Sequence, residues 1–169
     1  MHFSYQYRNT PEDYWLFRME NYYRNWTGIV SIVFTVSMII LCARKWNDTN
    51  GLGRAIMILL VLLFPVFQPL MVYFTSIRDA QAIRVETGLD FNGTGMEIRV
   101  QNHVQRIPWK SFVLDDKGGG AVIKRRSMLV VVPDQVHAYL IPNRAAGSGE
   151  EKEEAYQFIR KMIESNVRG

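Results

Sequence analysis

Two stretches of this sequence, Thr27–Ala43 and Ala55–Ile77, contain no charged residue. Nothing else in the chain restricts its folding so strongly. A soluble helix keeps a polar stripe for water, and a buried core helix seldom stays free of charge over such a length. A membrane span needs about 20 mostly apolar residues, with a range of about 17–25. Both stretches meet that requirement. Trp26 and Trp46 bracket the first, ~30 Å apart along a helix, which is the thickness of the hydrocarbon layer. Indoles at both interfaces and Arg44-Lys45 at one end fit a span. The first stretch follows an acidic, aromatic segment and precedes no A-x-A-like site, so it does not read as a cleaved signal.

The connector RKWNDTNGLGR is rich in Asn, Asp and Gly and predicts a tight turn between antiparallel spans. Both termini then share one side. The turn carries Arg44, Lys45 and Arg54, whereas Arg18, Arg24, Arg78 and Arg84 flank the spans on the other face. Counting basic residues places the termini in the cytoplasm. Cys42 is the sole cysteine, which excludes an intramolecular disulfide and a cysteine-based zinc site. The second span contains PVFQP. Pro65 and Pro69 each remove a backbone donor and predict a kink, and Gln68 brings an amide to membrane depth. Gln68 reads either as a contact with another helix or as an amide bonded to the neighbouring span or to carbonyls that proline leaves free.

The remaining sequence divides around this hairpin. Residues 1–26 begin with HFSYQY, where Phe3, Tyr5 and Tyr7 alternate as in a strand. Thr10-Pro11-Glu12-Asp13 then opens a helix with a hydroxyl cap, a first-turn proline and early acids. Its Trp15, Leu16, Met19, Tyr22, Tyr23 and Trp26 follow at helical spacing, and the helix is expected to run on into the first span. Residues 27–77 are the hairpin. Residues 78–169 change to short alternating segments. Ile83, Val85 and Thr87 alternate, Gly88 breaks the run and Leu89–Phe91 continues it, FNGTG turns, Met96–Val100 forms the next strand, and Gln101-Asn102 turns. Val104–Pro108 leads to Trp109, and DDKGGG makes a loop. AVIKRR, SMLVVV and VHAYLIP close the set. About seven short strands predict a small antiparallel barrel or sandwich. A C-terminal helix over 150–166 follows, opened by a Ser148/Glu151 capping box, with Ala155, Phe158, Ile159, Met162 and Ile163 as its apolar stripe.

The order of these parts resembles a membrane-tethered pleckstrin-homology-like domain. FSYQYRNTPEDY resembles the F-x-Y…T-x-E-D-Y opening of the bacterial YcxB-like membrane proteins. Glu86-Thr87-Gly88-Leu89 resembles their E-x-G turn, Ile107-Pro108-Trp109 their I-P-W, and Leu140–Arg144 their apolar-apolar-Pro-Lys/Arg segment. Asn143 stands where a basic residue is more usual, and Ala145-Ala146 where an aromatic is frequent. The resemblance covers nearly the whole chain. It implies a two-span hairpin plus a cytoplasmic PH-like domain in the bacterial plasma membrane.

No catalytic constellation is visible. GGG at 118–120 lacks the Lys-Ser/Thr of a phosphate loop. Asp115-Asp116 reads as a solvated hairpin tip, although a metal site with His103 and His137 is an alternative; His2 stands apart from both. No cofactor or metal is implied, and a formal net charge of +4 gives little drive toward nucleic acid. Lys124-Arg125-Arg126 is the candidate contact. It reads as a patch for anionic lipid headgroups or a protein partner, or as a charged turn that blocks edge pairing. Trp109 is expected to plug the core beside the C-terminal helix, its N–H bonded to a carbonyl. The function expected is non-catalytic: an integral membrane protein whose PH-like domain contacts a protein or the lipid surface. The alternative is an accessory subunit of a transporter or envelope-stress system, contacting a membrane partner through Pro65, Gln68 and Pro69.

Overall fold

The computed structural model describes residues 1–82, 85–101, 103–112, 122–134 and 137–167. Ile83, Asn102 and the expected loop at Asp115–Gly120 lie outside them. The chain forms two compact units, Tyr14–Gln81 and Met1–Asp13 with Ala82–Gly169.

In the first unit, helix α2 (Trp26–Lys45) and the helical segment Gly51–Ala82 are each long and apolar enough to cross a membrane. Both extend beyond the charge-free stretches, so the turn shrinks to Trp46–Asn50. Helix α3 (Gly51–Leu62) is capped by Asn50, whose Oδ1 accepts from the Gly53 N–H at 2.8 Å. Pro65 does not break the helix. Residues Leu63–Phe67 widen into one π-helical turn and continue as α4 (Gln68–Ala82). A π turn lengthens the bonding pattern by one residue and so absorbs a missing donor without ending the helix. Phe34 meets Phe64 edge to face across the hairpin at 5.2 Å.

Helix α1 (Pro11–Arg24) is separate from α2, contrary to the expected continuous helix. Asn25 takes an extended conformation between them (φ −91°, ψ 162°). The fold-back depends on Gly28, since a Cβ there would lie 2.7 Å from the Tyr22 carbonyl oxygen and the Tyr23 Cα. The Tyr22 and Ser31 hydroxyls then hydrogen-bond each other. Further along α1, Trp15 Nε1 donates to the Pro69 carbonyl at 3.2 Å, and Arg18 reaches Thr75 and Asp79.

In the second unit seven strands form two antiparallel sheets, and no ladder closes them into a barrel among the described residues. The first sheet has the order β1-β2-β3-β4 (Phe3–Tyr7, Thr87–Phe91, Gly95–Val100, His103–Pro108). The second has the order β5-β6-β7 (Val122–Lys124, Met128–Val131, Tyr139–Pro142). Strand β1 pairs with β2 in the register Phe3↔Phe91 to Tyr7↔Thr87, and β2 runs without interruption through Gly88. At Gly95 a Cβ would lie 2.3 Å from the Ile107 carbonyl oxygen, so only glycine permits that start to the β3–β4 pairing.

Leu89, Phe91, Met96, Ile98, Leu129, Val131 and Ile141 fill the space beneath the sheets. Burying each such side chain contributes about 1.5–3 kcal/mol. After the short helix α5 (Asn143–Ala146), helix α6 (Gly149–Val167) closes the core with Ala155, Ile159 and Ile163, all buried. Its capping box forms as expected, with Ser148 N–H donating to Glu151 Oε2 (2.7 Å) and Glu151 N–H to Ser148 Oγ (3.2 Å).

Candidate functional site

Lys124-Arg125-Arg126 ends β5 and turns into β6. The Arg125 N–H donates to the Met128 carbonyl at 2.9 Å and closes the turn. Support comes from two side chains on later elements. Lys152 of α6 is 8% exposed, and its Nζ donates to the carbonyls of Arg125 (2.6 Å) and Arg126 (3.4 Å) and to Asn143 Oδ1 (2.7 Å). A buried ammonium is costly unless its donors are met, and this one is surrounded by oxygens. Asn143 completes the support. Its Nδ2 donates to the Arg126 carbonyl (2.8 Å) and its N–H to the Ser127 carbonyl (3.1 Å).

The three basic side chains are not equivalent. Lys124 forms an ion pair with Glu153 and lies 5.9 Å from the centre of the Tyr156 ring. Hydrogen bonds from Lys124 and Gln157 hold the Glu153 carboxyl below the usual carboxylate range. Arg125 is half-buried. Arg126 is exposed, and its guanidinium has no ion-pair partner among the described residues. The turn thus presents one cation to solvent on a fixed backbone. Sequence reasoning singled out the three cations but missed Lys152 and Asn143. The available signal was a lysine inside the acidic run EEKEE on a helix whose other charges face water.

Trp109 begins a short 3₁₀ turn after β4 and is 1% exposed. It stacks on Phe91, tilts against Phe112 and meets Phe158 of α6 edge-on. Its Nε1 donates to the Asn92 carbonyl at 2.8 Å. That carbonyl belongs to the FNGTG turn, where Asn92 Oδ1 also accepts from the N–H groups of Thr94 and Gly95.

Asp13 and Arg144, from opposite ends of the sequence, meet in the second unit. The guanidinium grips both carboxylate oxygens at 2.5 and 2.6 Å and donates to the Arg8 carbonyl at 2.8 Å. Asp13 Oδ2 also accepts from Thr10 N–H and Oγ1. Burial alone pushes the Asp13 carboxyl up, but the bonds from Arg144 and Thr10 outweigh it and leave the group below its ordinary range.

Pro65 lies in the π turn, with Gln68 and Pro69 opening α4. The Pro69 carbonyl accepts from Trp15, whereas Gln68 Oε1 is buried without a hydrogen-bond partner among the described residues. On the outer face of the first sheet, Ser4, Gln6, Glu86, Asp90 and Arg99 border a concavity of about 450 Å³ above Gly88. Its charges pair internally, Arg99 with Asp90 and Glu97 (both 2.9 Å) and Gln6 with Glu86 (3.1 Å). His103 is exposed and His137 bonds Asp134; Asp115 and Asp116 lie outside the described residues. Among the described residues no group of three or more His, Cys, Asp or Glu is placed to hold a metal. No family model matches the chain, and no curated protein or solved structure matches it.

Proposed function

We propose that the chain is an integral membrane protein of the YcxB-like type, set in the bacterial cytoplasmic membrane with both termini inside. Its second unit acts as a non-catalytic, PH-like interaction module. The membrane part rests on two long helices whose apolar side chains remain exposed, Ile32, Val33, Leu59 and Phe74 each by half or more. Water does not tolerate that much apolar surface, but lipid does.

The observation that carries the contact surface is the β5–β6 turn, fixed from beneath by Lys152 and Asn143 and tipped by Arg126. An anionic headgroup surface is the occupant its charge favours. Each basic residue near such a surface adds about 1 kcal/mol; with Lys124 paired to Glu153 and Arg125 half-buried, Arg126 is the main contributor. A polarity-sensitive dye on Ser127→Cys, in full-length protein carrying Cys42→Ala, tests this in nanodiscs. Blue-shifted emission is expected in phosphatidylglycerol and not in phosphatidylcholine, and Arg126→Ala should abolish the shift. Equal emission in both lipids would leave a protein as the partner.

A second function is favoured by one observation, the unpartnered oxygen of Gln68. At membrane depth an unmet acceptor draws a donor, and turning this buried amide outward would offer it to another helix. The hairpin would then serve as an accessory or regulatory subunit of a transporter or envelope-stress system. Gln68→Leu should reduce co-purification of a membrane partner in mild detergent, and undiminished recovery would remove this alternative.

A further inference from the structure

We infer that the turn end of the α2–α3 hairpin binds an anionic membrane phospholipid, with an acyl chain in the groove between the helices and the phosphate on Arg54. The inference rests on the membrane placement proposed above but not on the β5–β6 turn. The groove has a volume of about 520 Å³, with Ile39, Ala43, Ile58 and Leu62 on its walls and Trp46 and Asn47 toward its turn end. That size lies within the range of about 300–1,000 Å³ usual for small-molecule sites. Ile39 and Ile58 stay about half exposed, so the groove is open to whatever surrounds the helices.

Arg54 supplies the polar half. Its Nε donates to the Trp46 carbonyl at 2.9 Å, and its guanidinium carbon lies 5.3 Å from the centre of the Trp46 ring. These contacts fix the group while its two terminal nitrogens have no partner among the described residues. Two parallel N–H donors on a pre-oriented fork match two oxygens of a phosphate. Lys45 is paired with Asp48 at 3.3 Å, whereas Arg44, exposed at this end of α2, has no ion-pair partner among the described residues. Trp46 marks the interface level, which sets the apolar walls at acyl-chain depth and the guanidinium at headgroup depth. An anionic lipid answers both halves together. A zwitterionic lipid answers the groove but weakens the charge match, and a soluble anion answers only the fork.

Full-length protein in nanodiscs of equal phosphatidylglycerol and phosphatidylcholine, released into a native mass spectrometer, reports which lipid it retains. Wild type should keep phosphatidylglycerol over phosphatidylcholine by about tenfold, the size expected of a charge-assisted contact. Arg54→Gln should bring the ratio toward one, and Arg54→Lys, with the charge but not the fork, to an intermediate value. Ala43→Phe, which fills the groove, should lower both adducts. Lys45→Gln removes the same formal charge from the same turn and should leave the ratio unchanged. A wild-type ratio of one overturns the site, as does an equal loss in Lys45→Gln and Arg54→Gln, because diffuse attraction would then suffice. Extraction of the chain from native membranes by alkaline carbonate would instead remove the membrane placement itself, whatever the lipid ratio.

Discussion

Single residues carry more of this fold than their positions in the sequence suggest. Trp109 touches three aromatic rings and satisfies the Asn92 carbonyl, so its loss opens a cavity and orphans an acceptor together. Trp109→Ala should cost ~3–5 kcal/mol, read as a drop in the denaturation midpoint of the second unit; an unchanged midpoint would show that the ring does not hold the core. Asp13 makes a prediction in pH. Its folded carboxyl is held below the ordinary value of 3.8. The stabilisation is therefore fully present above that value and is lost as pH falls through the lowered folded one. At pH 7, Asp13→Asn should cost about 2 kcal/mol, less than for a fully buried pair because Arg144 stays half exposed. Wild type and variant should converge in stability only once pH has fallen below that lowered folded value, where both side chains are neutral. Parallel curves down to strong acid would refute the role of the charge.

At the scale of elements, what the sequence reveals depends on how local the cause is. The two long apolar helices are legible because absence of charge is a property of the stretch itself, and the α6 cap is legible because Ser148 and Glu151 are three residues apart. The break at Asn25 is not. Asn25-Trp26-Thr27-Gly28 contains no proline, and the chain folds back because Gly28 admits the backbone of α1. The π turn is half legible. Pro65 announces trouble in the helix but not whether a kink or a wider turn resolves it. The candidate site divides in the same way. Three consecutive basic residues are plain in the sequence, whereas the Glu153 that cancels one of them and the Lys152 that holds the turn arrive from α6. Lys152→Met keeps the stem and removes the ammonium, leaving the Arg125 carbonyl without that donor. It should cost about 1–3 kcal/mol and speed amide exchange through residues 125–128. Exchange that stays as slow as in wild type would show that the turn closes without Lys152.

The whole molecule follows from a pairing that no local pattern announces. The apolar hairpin interrupts the sequence of the second unit, because β1 precedes it and its partner β2 follows it. An excised piece that begins after the hairpin therefore lacks an edge strand. It exposes the core face that Tyr5 and Tyr7 cover and leaves Arg144 without Asp13. Unpaired strand edges and bared apolar surface favour aggregation. Residues 82–169 alone should accordingly aggregate or melt without cooperativity. The same piece preceded by residues 1–13 and a flexible Gly/Ser linker should regain a cooperative transition, since such a linker restores the strand at high effective concentration without imposing a direction. Within the linked form, Asp13→Asn should lower the midpoint as it does in the full chain, because the ion pair lies inside this unit. Cooperative melting of residues 82–169 without the strand would show that β1 is accessory to the fold, and the opening motif F-S-Y-Q-Y would then need another reason for its inward row of aromatics.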